Sequence, residues 1–212
     1  GQHLHPLLLN RRPCLGVILV IMENYLEILG TIVGLVYLYL EYKADIWLWL
    51  ASIIMPAIYL VVFYDAGLYA DTAINIYYLA VAIYGWFSWK FGSSSKKELP
   101  ISHITTRQAV AMVALYAIMQ VAISLALQHL TDSDVAWFNG LTSALSVVGM
   151  WMLARKWIEQ WIVWIVVDIL SAGLYCYKGL YLTAVLYALY AIIATFGYRK
   201  WRAMMIEQAA TR

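Results

Sequence analysis

The sequence predicts an all-α integral membrane protein of seven transmembrane helices, built as two parallel three-helix repeats joined by a lone fourth helix. Three observations predict it. Seven apolar stretches reach membrane-crossing length, Lys and Arg fall on alternate connectors, and the chain resembles itself at an offset of 112 residues. Composition sets the class before any of these. Hydrophobic residues make up 64% of the 212 and charged residues 12%. That is about half the charge of an average soluble domain, so the chain is too apolar to be one.

A helix needs roughly 20 mostly apolar residues to cross the hydrocarbon core. The qualifying stretches run over 24–40, 46–63, 68–89, 109–127, 135–153, 160–177 and 180–198. They are too long for strands, and they lack the polar–apolar alternation of a membrane barrel. The connectors are short except for 90–108, whose Ser and Lys content and Pro100 read as a solvated loop. The chain thus divides into 22–89 (first three-helix repeat), 90–108 (cytoplasmic loop), 109–128 (linker helix), 129–204 (second repeat) and 205–212 (cytoplasmic tail). Residues 1–21 precede a Met-Glu-Asn start at Met22. Arg11-Arg12 before a short apolar run faintly suggests a signal peptide, but an upstream extension, not native to the chain, is the favoured reading.

Orientation follows from the cations, which concentrate in cytoplasmic connectors. With the N-terminus outside, the inner segments carry 11 Lys and Arg and the outer ones 3. The inner set includes Lys43, Lys90, Arg107, Arg155, Lys156, Arg199 and Lys200, and the outer set is Arg11, Arg12 and Lys178. The split predicts a multi-pass protein of the bacterial cytoplasmic membrane with its C-terminus inside.

The repeat rests on several coincidences in one register. Gly67-Leu68-Tyr69 matches Gly179-Leu180-Tyr181, and Trp49, Tyr78, Gly85 and Trp89 match Trp161, Tyr190, Gly197 and Trp201. Lys43 pairs with Arg155, Lys90 with Arg202, and Glu27 with Asn139. The first and fifth helices cross in the same sense, so the repeats are parallel and the fourth helix returns the chain. Parallel repeats with a site between them near mid-membrane are a transporter architecture, although duplication without transport leaves the same trace.

The sixth stretch carries the clearest candidate chemistry. Trp161, Trp164 and Asp168 stand at i, i+3 and i+7, which sets them on one helical face. An aspartate within an apolar span costs about 2.5–3.5 kcal/mol on insertion scales, and such residues face a bundle interior or a cavity. Indole faces beside a carboxylate suit a flat organic cation. The competing reading makes the tryptophans interface anchors, above all Trp161 at the helix end, and pairs Asp168 structurally with a polar neighbour. Tyr175 continues the Asp168 face. Asn75 and Tyr78 share a face of the third helix with Trp86 and Trp89, while Glu27 and Asn139 are either an outer mouth or solvated helix ends. Tyr187 and Gln120 read mainly as packing residues, and Gly30, Gly34, Gly149 and Gly173 permit close helix contact, sliding or static. Pro56 falls opposite Asp168 under the 112 offset and is a candidate hinge.

Trp161-x-x-Trp164-x-x-x-Asp168 resembles the WxxWxxxN/D motif of the Pnu-type vitamin transporters. So do Tyr84-Gly85-Trp86-Phe87-Ser88-Trp89-Lys90 and the run from Lys178 to Ala184 leading to Gly197-Tyr198-x-x-Trp201. The resemblance extends from Met22 to about Met204. It implies the SWEET-like three-plus-one-plus-three fold and a transporter of a small vitamin substrate rather than an enzyme. The PnuC branch carries nicotinamide riboside by facilitated diffusion, with a cytoplasmic kinase trapping the cargo. The PnuT branch carries thiamine and another branch riboflavin. The first two cargoes are flat cations that suit Asp168, and the choice between them stays open. The resemblance also implies a homotrimer.

Other classes lack their signatures. There is no GxxxxGK[ST] phosphate loop, no HExxH or Cys/His cluster for a metal, and no Gly-x-Ser-x-Gly elbow. No cofactor and no nucleic-acid partner is expected, and the lipid bilayer is the main environment.

Overall fold

The computed structural model describes residues 32–65, 69–92, 98–130 and 135–211. The described residues form seven helices: α1 (Ile32–Tyr42), α2 (Leu48–Asp65), α3 (Tyr69–Phe91), α4 (Thr106–Leu130), α5 (Ala136–Ala154), α6 (Gln160–Tyr177) and α7 (Tyr181–Ala210). The chain divides into two units, Gly1–Tyr39 and Leu40–Arg212, and all that follows concerns the second. The extension over 1–21, Glu27, Gly30 and the Gly67-Leu68 match lie outside the described residues.

Helices α4, α5 and α6 are long and apolar enough to cross a membrane by length and composition. α4 packs on α5 and leaves Val110, Val113, Ile118 and Val121 exposed. In water such a band would be an aggregation liability; in a bilayer it is the natural outer surface. Gln120 Nε2 donates to Ser124 Oγ (3.0 Å) and to the Trp137 carbonyl (3.1 Å), which ties α4 to α5. Gly140 makes the approach possible, since a Cβ there would fall 2.0 Å from Ser124 Oγ. The Gln120 contacts agree with a packing role.

Two helix ends and one connector differ from the sequence reading for local reasons. α4 begins at Thr106 rather than near 109, because Thr105 and Gln108 form a capping box. Thr105 Oγ1 accepts from Gln108 N (3.4 Å), and Gln108 Oε1 accepts from Thr105 N (3.0 Å). α7 continues to Ala210 rather than ending near 198, so most of the predicted tail is helix, and Gln208 Oε1 there accepts from Ile101 N (3.2 Å). Third, residues 98–105 are not a free solvated loop. Ile101 is buried, and Ser102 bridges Trp157 through Ser102 N to Lys156 O (3.2 Å) and Ile158 N to Ser102 O (3.0 Å). Glu159 fastens the same segment, accepting from Ile104 N (3.0 Å) and contacting His103 Nδ1 (2.7 Å).

The α1–α2 and α5–α6 connections are the same structure built twice. Ala44 and Lys156, 112 residues apart, both hold positive φ (53° and 56°). Each donates to the residue three before it, Glu41 O (2.9 Å) and Leu153 O (2.8 Å). The next bonds also match in pairs, Asp45 N to Leu40 O with Trp157 N to Met152 O, then Leu48 N to Asp45 O with Gln160 N to Trp157 O. Non-glycine residues rarely adopt this backbone region, and here two do so 112 residues apart with matching hydrogen bonds.

Candidate functional site

Four tryptophans close the end of the bundle that carries these two turns. Trp49, Trp89, Trp161 and Trp201 are each at most 1% exposed. Trp49 meets Trp89 edge to face (5.6 Å, 87°), and Trp161 meets Trp201 in the same way (5.7 Å, 88°). Trp89 and Trp201 then touch each other at 6.0 Å, joining the pairs into one row. Each member of the central pair donates a hydrogen bond to a carbonyl at the end of a distant helix, Trp89 Nε1 to Leu153 O (3.1 Å) and Trp201 Nε1 to Glu41 O (2.9 Å). Gly85 and Gly197 make room for the outer rings, as a Cβ at either would lie within 2.7 Å of Trp49 or Trp161.

Lys156 lies beneath this row, 3% exposed, with Nζ 4.3 Å from the Trp89 ring centre. Burial pushes its ammonium down to about 8, with the Glu98 charge acting the other way.

Above the row, one face of α6 presents Gln160, Trp164, Asp168, Ser171 and Tyr175. The α6 sequence permits this because the buried positions Gln160, Trp161, Val167, Asp168 and Ser171 recur at helical spacing. Trp164 rests on Gly149 of α5, whose added Cβ would lie 3.3 Å from the indole. Asp168 is 9% exposed, and no described residue hydrogen-bonds or ion-pairs with its carboxylate. Tyr175 stacks on Tyr187 of α7 (5.2 Å, 25°), and Tyr187 meets Tyr190 edge on (5.7 Å). Tyr187 and Tyr190 both lie within electrostatic reach of Asp168. A buried carboxyl group between an indole and a tyrosine wall is arranged to receive a cation or hydroxyl groups.

Two residues of this region escaped the sequence reading. Glu41 is 2% exposed and Gln160 0%, and the Gln160 amide lies alongside the Glu41 carboxylate without hydrogen-bond geometry. Glu41 Oε1, both Gln160 amide atoms and the indole N–H groups of Trp49, Trp161 and Trp164 are buried without a hydrogen-bond partner among the described residues. Glu41 and Asp168 are within electrostatic reach of each other.

The other predicted residues are spread more widely. Trp161, Trp164, Asp168 and Tyr175 share α6, as spaced. Trp161 is buried in the tryptophan row, packed edge to face on Trp201. Asn75 and Tyr78 lie on α3, where Tyr78 abuts Tyr77 (5.7 Å) and Tyr77 donates to Val147 O of α5 (2.7 Å). Trp86 sits beside Trp47 (5.8 Å) with Lys90 near its ring. Asn139 is in the first turn of α5, and Pro56 lies inside an unbroken α2. No cluster of metal-ligating side chains occurs among the described residues.

Fold and site together define a multi-pass helical membrane protein with a buried polar and aromatic site. A family profile described as nicotinamide mononucleotide transporter matches residues 24–203. The nicotinamide riboside transporter PnuC of Escherichia coli is 23% identical over 203 residues, covering 84% of this chain and 85% of that protein. The riboflavin/roseoflavin transporter RibM of Streptomyces davaonensis is 26% identical over 178 residues, covering 82% and 83%. The crystal structure of the vitamin B3 transporter PnuC shares the fold, with a TM-score of 0.64 and 24% identity over 91% of this chain and 87% of that one. The chain belongs to the nicotinamide mononucleotide transporter family, that of PnuC. It is a vitamin transporter of the membrane and not an enzyme.

Proposed function

We propose that this protein imports nicotinamide riboside by facilitated diffusion through alternating access. The observation that carries the reading is Asp168, a buried carboxyl group without a hydrogen-bond or ion-pair partner among the described residues, one turn beyond Trp164 and within reach of Tyr187. Trp164 stacks the pyridinium, with Trp161 bracing it from the tryptophan row, and Asp168 answers the charge or binds ribose hydroxyls. Tyr175 extends the wall, while Asn75, Tyr78, Trp86 and Asn139 serve the path on the α3 and α5 side. The repeats run over 22–89 and 129–204 in a SWEET-like three-plus-one-plus-three order, with α4 as linker and Pro56 as hinge. Matched turns, matched tryptophan pairs and reciprocal hydrogen bonds support this duplication. In this reading the N-terminus is outside and the C-terminus cytoplasmic in a bacterial inner membrane. The transporter is a homotrimer, and a cytoplasmic kinase traps the cargo.

Thiamine is the second reading, because a thiazolium also answers Asp168. Riboflavin, carried by the relative RibM, has an uncharged ring and leaves that carboxylate without a counter-charge. The test is calorimetric binding of all three to the purified protein and to Asp168→Asn. Nicotinamide riboside is expected to bind best and to lose about tenfold or more in the variant. Preferential binding of thiamine or riboflavin, or an unaffected Asp168→Asn, would refute the reading.

A further inference from the structure

Glu41 and Gln160 break the symmetry of the duplicated turn. Under the 112 offset Glu41 corresponds to Leu153 and Gln160 to Leu48. The correspondence is physical, since Trp201 bonds the Glu41 carbonyl as Trp89 bonds that of Leu153. Leu48 and Leu153 are both 0% exposed. One copy of this corner is therefore closed by leucines, and the fold needs no polar atoms there. The other copy buries a carboxylate and a carboxamide whose Oε1, Oε1 and Nε2 atoms have no hydrogen-bond partner among the described residues. Desolvating such atoms without bonding them opposes folding. Polar groups that stability disfavours, placed one turn from the ligand-facing Trp164, point to something that bonds them when it arrives.

We infer that Glu41 and Gln160 form a subsite that reads a primary carboxamide on the ring of the cargo, an inference that rests on the cargo proposed above. A carboxyl C=O accepts, and a glutamine amide both donates and accepts. The carboxamide NH2 therefore donates to Glu41, and its oxygen accepts from Gln160 Nε2. Spacing fits this assignment. Gln160 and Asp168 are eight residues apart on α6, about 12 Å along the axis at ~1.5 Å per residue, with Trp164 midway. A pyridinium riboside laid along that face sets its ring on Trp164, its carboxamide at Glu41 and Gln160, and its ribose at Asp168 and Tyr187. An analogue with a carboxylate in place of the carboxamide has no N–H to give the Glu41 oxygen, and sets acceptor against acceptor.

The test compares nicotinamide riboside with nicotinic acid riboside by isothermal titration on the purified full chain. Wild type, Glu41→Gln, Gln160→Leu and the double variant Glu41→Leu/Gln160→Leu are titrated, and their melting temperatures recorded. Wild type is expected to prefer the carboxamide by about 100-fold or more. Glu41→Gln narrows that preference at least roughly tenfold, mainly by admitting the acid. The double variant copies the leucine pair. It is expected to melt no lower than wild type while binding nicotinamide riboside about tenfold or more weakly. Should it fail to fold, Glu41→Gln alone decides. An unchanged preference in Glu41→Gln, or no preference in wild type, overturns the subsite and leaves the cargo standing. A wild type that binds neither riboside overturns the cargo and the subsite together.

Discussion

Alanine at Gly197 and at Gly85 applies one perturbation to two copies of a structure, only one of which adjoins the proposed site. A Cβ at Gly197 would lie 2.6 Å from Trp161 ring carbons, and one at Gly85 2.5 Å from those of Trp49. Restoring a contact of 3.4 Å requires each ring to retreat by about 0.8 Å or more. Neither can do so freely. Trp161 is backed by Trp201, itself bonded to the Glu41 carbonyl, and Trp49 is backed by Trp89, bonded to the Leu153 carbonyl. Overpacking of this kind costs about 1–3 kcal/mol. At about 2–4 °C per kcal/mol for a chain of this size, both variants should melt roughly 2–12 °C lower and by similar amounts. Binding should separate them. Gly197→Ala displaces Trp161, next to Gln160 and one turn from Trp164, and is expected to weaken nicotinamide riboside about tenfold. Gly85→Ala moves Trp49 and should leave affinity within about twofold. Thermal unfolding followed by tryptophan fluorescence, with calorimetric titration on the same samples, measures both. Equal losses of affinity would refute the assignment of the site to the α6 side, and wild-type melting of Gly197→Ala would refute the close approach.

Three further outcomes follow from other parts of the molecule. Lys156 has its pKa lowered by burial from 10.5 to about 8, so between those values the unfolded chain binds more protons than the folded one. Stability should therefore rise with pH across about 8 to 10.5, and Lys156→Met should flatten that rise in pH-scanned thermal unfolding. Glu159→Ala removes the acceptor of Ile104 N and the contact to His103, and limited proteolysis should then cut within 98–105 several-fold faster while the helices persist. Gly140→Ala drives a methyl group into Ser124 Oγ and should cost about 1–3 kcal/mol by loosening α4 from α5, read as a lower melting temperature.

Much of the fold was legible because membrane helices declare themselves by length and apolarity. The predicted span of 160–177 coincides with α6. Less legible were features set by single hydrogen bonds, such as the capping box that starts α4 early and the pinning of 98–105 by Glu159. α7 overran its predicted end because leaving the bilayer ends hydropathy and not helicity; Arg199, Lys200 and Arg202 are good helix formers. The α6 face of the site could be read from spacing, since Trp164 and Asp168 share a helix. Glu41 could not, because at the end of an apolar stretch beside Tyr42 and Lys43 it looks like an ordinary solvated helix end. A signal was nevertheless present in the sequence's self-similarity: position by position, the 112 offset sets Glu41 against Leu153 and Gln160 against Leu48. Reading mismatches at that offset, and not only matches, would have singled them out.

The exchanged tryptophan bonds have a consequence for the chain's connectivity. Residues 40–91 supply the Trp89 donor and the Glu41 acceptor, and residues 135–211 supply the Trp201 donor and the Leu153 acceptor. Each half thus carries one plug and one socket, and neither can satisfy itself. Cleaving the chain between Gly92 and Glu98 would sever none of these bonds. Two fragments made separately should therefore recognise each other at this corner and reassemble, with Trp89→Phe and Trp201→Phe each weakening the reunion.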